Sequence, residues 1–449
     1  MPSIATSSRE PSSPDAPLAT APNHDVTTPG SGPQARRNFL VLVVHSIVLR
    51  AGWIFKTESI IIPAVLDTIA GAGWVRGWLP LLNRFGHSVP PLLLARRVNL
   101  LTRKKWALFA ATTMMSLLFL LLALLFTDAA PANAWWAPLA FLVIYAAFFM
   151  GVGVYHLAFN TLQGKLIATT HRGRLMLAAN TIGSVVAILC ALWLLPGWLS
   201  RGRPRFDLIF GLSGLLFGVS AITVLFLAEA ADHYRQAARS VACYFLDAYR
   251  TLATDAAFRR LGLVGALFGV SIMLFPHYQN LGLVVLGLDL KCLMWWVVIQ
   301  NLGTGLFSIP AGAVADRWGN RLVLQVALLG MVAAPALAVA VAMAGTPARN
   351  AYHLVFVLVG LTPVVYRTIQ NFALELCRRE DHPRYLSTLG LCMAGPMFLS
   401  PIVGFIMDWL GYPVVFIGIA GLVAIGWLTT FWLQEPREHV SDSFSPADD

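Results

Sequence analysis

Ionisable and amide side chains recur inside stretches of this chain that are otherwise apolar for about 20 residues. Each is expensive to hold in lipid, so such residues mark solute or ion pathways more often than residues elsewhere do. Four stretches hold most of them. One carries Arg50, Lys56 and Glu58, a second Tyr155, His156 and Asn160. A third carries His277, Tyr278, Gln279 and Asn280 just past Pro276, and a fourth Tyr366, Arg367, Gln370 and Asn371. His156 and Asn160 are four apart, as are Arg367 and Asn371, so each pair shares one helix face. Lys56 and Glu58 are two apart and cannot face one another on a regular helix. The expectation is that one lines a cavity while the other pairs with another helix. Cations, amides and phenols in this mixture suit recognition of a polar or anionic organic solute. Proton coupling needs a group whose protonation follows access. Glu58, the only acid well inside an early span, is the candidate, with His156 and His277 as partners. A membrane-embedded enzyme would show clustered acids, a His-rich metal box or a Ser/Lys dyad within spans. None is present, so no catalytic residue, metal or cofactor is expected. Plainer readings stand beside these. Arg50 lies about 12 Å along a helix from Leu42, which suits a snorkelling anchor as well as a ligand. His156 suits an interhelical hydrogen bond, and Tyr155, Tyr278 and Tyr366 suit simple packing. A guanidinium at Arg367, near mid-span, is harder to explain so plainly and suits a substrate or ion-pair role.

These residues need a scaffold that crosses lipid many times. The 449 residues are 57% hydrophobic and 12% charged, against about 25% charged in soluble domains. Apolar runs have helical rather than barrel-strand length. Twelve spans are predicted, at 42–66, 74–95, 106–127, 137–162, 176–198 and 208–229, then 259–286, 292–315, 321–344, 352–375, 386–408 and 413–433. Residues 1–37, rich in Ser, Pro, Ala and Thr, bury too little apolar surface to fold and read as a disordered tail. With no signal-type apolar core there, the first span itself starts insertion. The divisions that follow are a bundle at 38–229, an amphipathic linker at 230–257, a second bundle at 258–434 and a tail at 435–449. Five scattered cysteines make no disulfide framework.

The formal charge of +10 does not signal a nucleic-acid partner, because Lys and Arg sit in short loops between apolar runs. Loops on the side of the amino terminus carry Arg96, Arg97, Arg103, Lys104, Lys105, Lys165 and many more. The other side carries only Arg76, Arg201, Arg203, Arg205, Lys291 and Arg349. This bias places both termini in the cytoplasm. The Arg201, Arg203, Arg205 cluster runs against it, as a tolerated short loop or as an attractor of anions. A shift of 211 positions sets Tyr155 on Tyr366, His156 on Arg367, Asn160 on Asn371 and His171 on His382. The two halves therefore read as parallel repeats.

Between the eighth and ninth spans lies Gly312-Ala-Val-Ala-Asp316-Arg317-Trp-Gly319-Asn-Arg321. Its two glycines permit a tight turn and close helix approach. This segment resembles the signature loop of the major facilitator superfamily, G-x-x-x-D-R-x-G-x-R. The resemblance implies an all-α integral membrane protein of twelve transmembrane helices in two six-helix pseudo-symmetric bundles. It also implies that Gly312, Asp316, Arg317, Gly319 and Arg321 form a gating latch, and that the first, fourth, seventh and tenth helices line a central cavity. Those four are the stretches named above. The first-half counterpart departs from the pattern, with Ala95 and Thr102 for the glycines and Asn99 for the acid. A second segment, Gly404 to Tyr412, resembles the G-x-x-x-D-x-x-G-Y/F run common between the last two facilitator helices. The approach from Arg259-Arg260 through Pro276-His277-Tyr278 is likewise similar to bacterial facilitators. Pro396 and Pro401 are expected to kink the eleventh span. No sugar-porter signature occurs, nor an antiporter motif in the fifth span. The resemblance implies a monomeric secondary transporter of the cytoplasmic (inner) membrane that moves a small organic solute by alternating access, with protons as candidate coupling ion. Its expected partners are the solute and the lipid bilayer. Proton-driven efflux of amphipathic compounds, a non-transporting sensor and a membrane-embedded enzyme are the alternatives.

Overall fold

The computed structural model describes residues 33–127, 134–199, 204–231, 241–377 and 381–435. The amino-terminal tail as far as 32, Arg201, Arg203, Arg378, Arg379 and the carboxyl tail from 436 lie outside the described residues. The first bundle contains α1 (Pro33–Ile54), α2 (Ile61–Ala70), α3 (Gly73–Leu100), α4 (Lys105–Leu125), α5 (Ala137–Leu166), α6 (Thr169–Leu199) and α7 (Phe206–Leu225). A surface helix, α8 (Val241–Thr254), leads to the second. That bundle contains α9 (Ala256–Ile272), α10 (Phe275–Asn280), α11 (Cys292–Trp318), α12 (Asn320–Ala344), α13 (His353–Val359), α14 (Thr362–Glu375), α15 (His382–Ala394), α16 (Ser400–Leu410) and α17 (Tyr412–Thr429). Eleven stretches of the described residues are long and apolar enough to cross a membrane. α3 is not among them, because Arg76, Arg84, Arg96 and Arg97 lower its hydropathy, yet its 28 residues extend about 42 Å. α1 starts at Pro33, ahead of the boundary expected at 37.

Proline explains where the spans break. A proline ring clashes with the carbonyl four residues back and removes a hydrogen bond. α9 ends at Ile272, four before Pro276, and α13 ends at Val359, four before Pro363. Pro396 and Pro401 interrupt the eleventh span with a 3-10 turn, Gly395–Leu399, as expected. Pro63 does the same to the first span, which was expected to run unbroken over 42–66. The chain leaves α1 after Ile54, and the Thr57 hydroxyl donates to the Ile54 carbonyl at 2.7 Å. The Thr57 carbonyl then accepts from the amides of Ile60, Ile61 and Ile62, starting α2.

The interior of the first bundle is aromatic. Phe119, Phe148, Phe210 and Phe217 are fully buried, with Phe119 and Phe148 centroids 4.5 Å apart. Outward faces such as Leu189, Trp193 and Ile309 are exposed and apolar, as a lipid-facing surface requires. α3 crosses α5 so closely that a Cβ on Gly86 would fall on the Phe149 backbone, and one on Gly153 would meet the Gly86 carbonyl. Small residues at such crossings let helix backbones touch in a membrane. Gly86→Ala is expected to destabilise the protein by about 1–3 kcal/mol, read as a lower thermal midpoint in detergent. An unchanged midpoint would mean the crossing is looser than described.

Candidate functional site

Two connected chambers lie between the bundles. The first, about 560 Å³, has walls from α1 (Arg50, Trp53), the α1–α2 break (Glu58), α5 (Tyr155, His156, Asn160), α6 (Asn180) and α11 (Gln300, Asn301, Thr304). The second, about 630 Å³, is walled by Asn83, Arg84, His87 and Ser88 of α3, by Tyr145, and by Pro276 and Tyr366 from the second bundle. Glu58, His156, Asn160 and Phe275 line both, so they sit where the chambers meet.

The break in the first span decides the chemistry at that junction. Because the backbone there is not helical, Lys56 and Glu58 turn to the same side and pair, Nζ to Oε1, at 2.5 Å. This corrects the expectation that they point apart. Glu58 also accepts from Asn83 of α3. Lys56 lies behind Glu58, fully buried and off the chamber walls. Its Nζ is 3.6 Å from the Trp53 ring centroid and 4.4 Å from that of Phe149. An ammonium over aromatic faces keeps part of the stabilisation it loses with water. The close α3–α5 crossing at Gly86 brings His87 against His156, with ring centroids 5.3 Å apart. Arg84 reaches across to the second bundle, 5.8 Å over the Tyr366 ring. Arg50 donates to the Asn180 carbonyl oxygen at 3.3 Å.

Several expected site residues lie off these walls. His277 is fully buried with neither ring nitrogen bonded, and lines neither chamber. Past the Pro276 break, Tyr278 turns into the second bundle. There it packs edge-on against Phe416 at 5.1 Å, and its carbonyl accepts from the Tyr352 hydroxyl at 2.7 Å. Gln279 and Asn280 donate to Asp67 of α2 at 2.7 and 2.6 Å. Arg367 and Asn371 are exposed and Gln370 half-buried, also off both walls. Of the outer arginines, Arg205 is paired with Asp207 at 2.7 Å. Wall residues not singled out from sequence include Asn83, Arg84, His87, Asn180 and Gln300. The first three cluster within five positions, a density of polar side chains that flags α3.

Cross-bundle hydrogen bonds gather toward the end of the molecule opposite the amino terminus. Asp67 holds Arg76 at 2.5 Å as well as the two amides, and Arg76 also reaches Tyr412, whose hydroxyl bonds Asn280. Deeper in, Ser59 donates to Gln300 at 2.7 Å. At the amino-terminal end the signature loop is different. Gly312, Asp316, Arg317 and Trp318 are exposed. Gly319 adopts φ 84°, which favours glycine, and Arg321 folds back onto its own bundle through the Phe431 carbonyl at 3.0 Å.

The sequence profile of the Major Facilitator Superfamily matches residues 284–448. A 49-residue segment is 43% identical to an uncharacterized MFS-type transporter, YhhS, of Escherichia coli (strain K12), covering 11% of this chain and 12% of that protein. The fold is similar to that of a point mutant of the nucleoside transporter NupG, with TM-score 0.69 and 14% identity over 88% of this chain and 99% of that one. It is also similar to a POT family transporter in complex with 5-aminolevulinic acid (TM-score 0.67, 13% identity, 89% and 96% covered). A bacterial homolog of the human lysosomal transporter Spinster, inward-facing and unoccupied, scores 0.59 at 15% identity, with 93% and 100% covered. The family profile falls in the second half of the chain, and the likeness over most of the chain shows that this protein has the major facilitator fold.

Proposed function

We propose that the protein is a secondary transporter that carries a small organic anion across the membrane by alternating access. The observation that supports this best is the charge balance of the paired chambers. Glu58, the single acid on their walls among the described residues, is already held by Lys56, while Arg50 and Arg84 contact only an amide and a phenol ring. Cations so placed in a low-dielectric interior favour an anionic guest. The bias of basic loops puts the amino-terminal end in the cytoplasm, so this state is closed outside and faces inward. Substrate would bind at the bundle interface and leave as the halves rock. For proton coupling, Glu58 and His156 share the junction of the chambers, whereas His277 does not. Trp53, Tyr155 and Phe159 give the first chamber an apolar side that also suits efflux of amphipathic compounds.

Flux into proteoliposomes tests the reading. Organic anions are expected to exchange, with neutral and cationic analogues slower. Arg84→Gln and Arg50→Gln are each expected to weaken anion affinity about 10- to 100-fold, the value of one charged hydrogen bond. The remote Arg349→Gln should leave it unchanged. Absence of flux under any imposed gradient would overturn the transporter reading, and equal handling of cations would overturn the anion assignment.

A further inference from the structure

The segment Gly404–Tyr412 is a second copy of the signature loop, displaced by 92 positions. Gly303, Ser308, Gly312, Asp316 and Gly319 become Gly395, Ser400, Gly404, Asp408 and Gly411. The backbones agree as well. Gly319 has φ 84° and ψ 170°, Gly411 φ 80° and ψ 167°, and each both ends one helix and starts the next. Each glycine amide also bonds the carbonyl four residues back, Ala315 at 3.1 Å and Met407 at 2.9 Å. One loop lies at the amino-terminal end of the bundle and the other at the opposite end. That is what inverted repeats nested within one half produce.

The two copies are in different states. Asp408 reaches across the bundle interface to cap the amino terminus of α3. One carboxylate oxygen accepts from Gly73 N at 2.9 Å, the other from Gly73 N at 2.8 Å and Trp74 N at 3.2 Å. A carboxylate there satisfies orphan amides and meets the positive end of the helix dipole. A Cβ on Gly404 would collide with the Gly73 carbonyl, and one on Gly77 with Ser400, so α16 and α3 are in backbone contact. The signature copy has none of this. Asp316 is exposed without a hydrogen bond among the described residues, and a Cβ on Gly312 would meet nothing within 4 Å.

We propose that Gly404–Tyr412 is the outer latch of the transport cycle, engaged here, and that it alternates with the signature loop, which is disengaged here. This inference rests on the alternating-access reading. α11 packs beside α6 as α16 packs beside α3. When the outer latch releases, Asp316 caps the amino terminus of α6, the inverted counterpart of α3.

Distances between spin labels in a cysteine-free background test this. One pair, Leu139→Cys with Val414→Cys, spans the Asp408 end, and the other, Thr102→Cys with Ala256→Cys, spans the signature end. Asp408→Asn is expected to raise the long-distance population at its own end about tenfold, the scale of losing charge-assisted bonds. The short-distance population at the other end should rise with it. Asp316→Asn, at an exposed position that leaves folding intact, is expected to shift both pairs the opposite way. If the wild type moves between two distances at each end but neither substitution shifts them, the paired latch is overturned and alternating access stands. If the wild type holds one distance at each end under every gradient and anion, both readings fall.

Discussion

Glu58→Ala is expected to destabilise the protein by roughly 3–5 kcal/mol, the range for stranding one partner of a buried ion pair. Lys56 has no exposed side-chain surface, and Glu58 is its carboxylate partner. Without Glu58 the ammonium must lose its proton or rely on the Trp53, Phe148 and Phe149 rings alone. Those faces return about 2 kcal/mol for a desolvated ammonium, only part of what the ion pair supplied. Asn83 loses its acceptor too. The double variant Lys56→Met/Glu58→Gln removes the stranded charge and keeps the volume, so it should regain most of the lost stability. Thermal unfolding in detergent of the wild type, Lys56→Met, Glu58→Gln and the double closes the cycle. A coupling energy near zero would mean that the pair does not hold the break together. Transport should stay impaired in the double variant even as stability returns, because the carboxylate at the chamber junction is gone.

Glu229→Ala is expected to cost roughly 2–4 kcal/mol, combining a lost helix cap with a broken partly buried ion pair. Glu229, just past α7, accepts from Lys104 N at 2.9 Å and Lys105 N at 2.8 Å, and pairs with Lys165 at 3.0 Å. The other bundle repeats the device in lighter form. Glu435, just past α17, accepts from Arg321 N at 2.9 Å at the start of α12. Basic side chains close the same corners by donating to the last carbonyls. Lys105 reaches Leu227 O at 2.9 Å, and Arg260 reaches Trp432 O at 2.9 Å. Glu435→Ala should therefore destabilise less than Glu229→Ala, and unfolding midpoints in the reverse order would refute this account. Glu229→Gln leaves one acceptor oxygen for the two amides and no charge for Lys165, so it should recover less than half of the loss.

Some of the protein was legible in its sequence because the signals are local. A run of about 20 apolar residues needs lipid whatever its neighbours are. A proline breaks its helix without help from a partner, so the interruptions at Pro276, Pro396 and Pro401 were foreseeable. The charged hinge at Gly312–Arg321 identified the fold from ten residues. Two signals were present but unread. Pro63 argued against an unbroken first span, and Asn83, Arg84 and His87 argued that α3 faces a cavity.

The sequence by itself determined the membrane class, the order of the spans, the hinge and a short roster of polar residues, among which Arg50, Glu58, Tyr155, His156, Asn160 and Tyr366 reach the chamber walls. Only the tertiary structure decided how the roster divides. Lys56 and Glu58 pair because the backbone between them is not helical, which residue spacing on an assumed helix cannot show. Gln279 and Asn280 serve a closed end because Asp67, more than 200 positions away in sequence, arrives there with the other bundle. The spacing shared by Gly312–Gly319 and Gly404–Gly411 was always readable. That one copy grips α3 while the other faces open space depends on how the two bundles lean together, and long-range contacts of that kind leave no local mark on the chain.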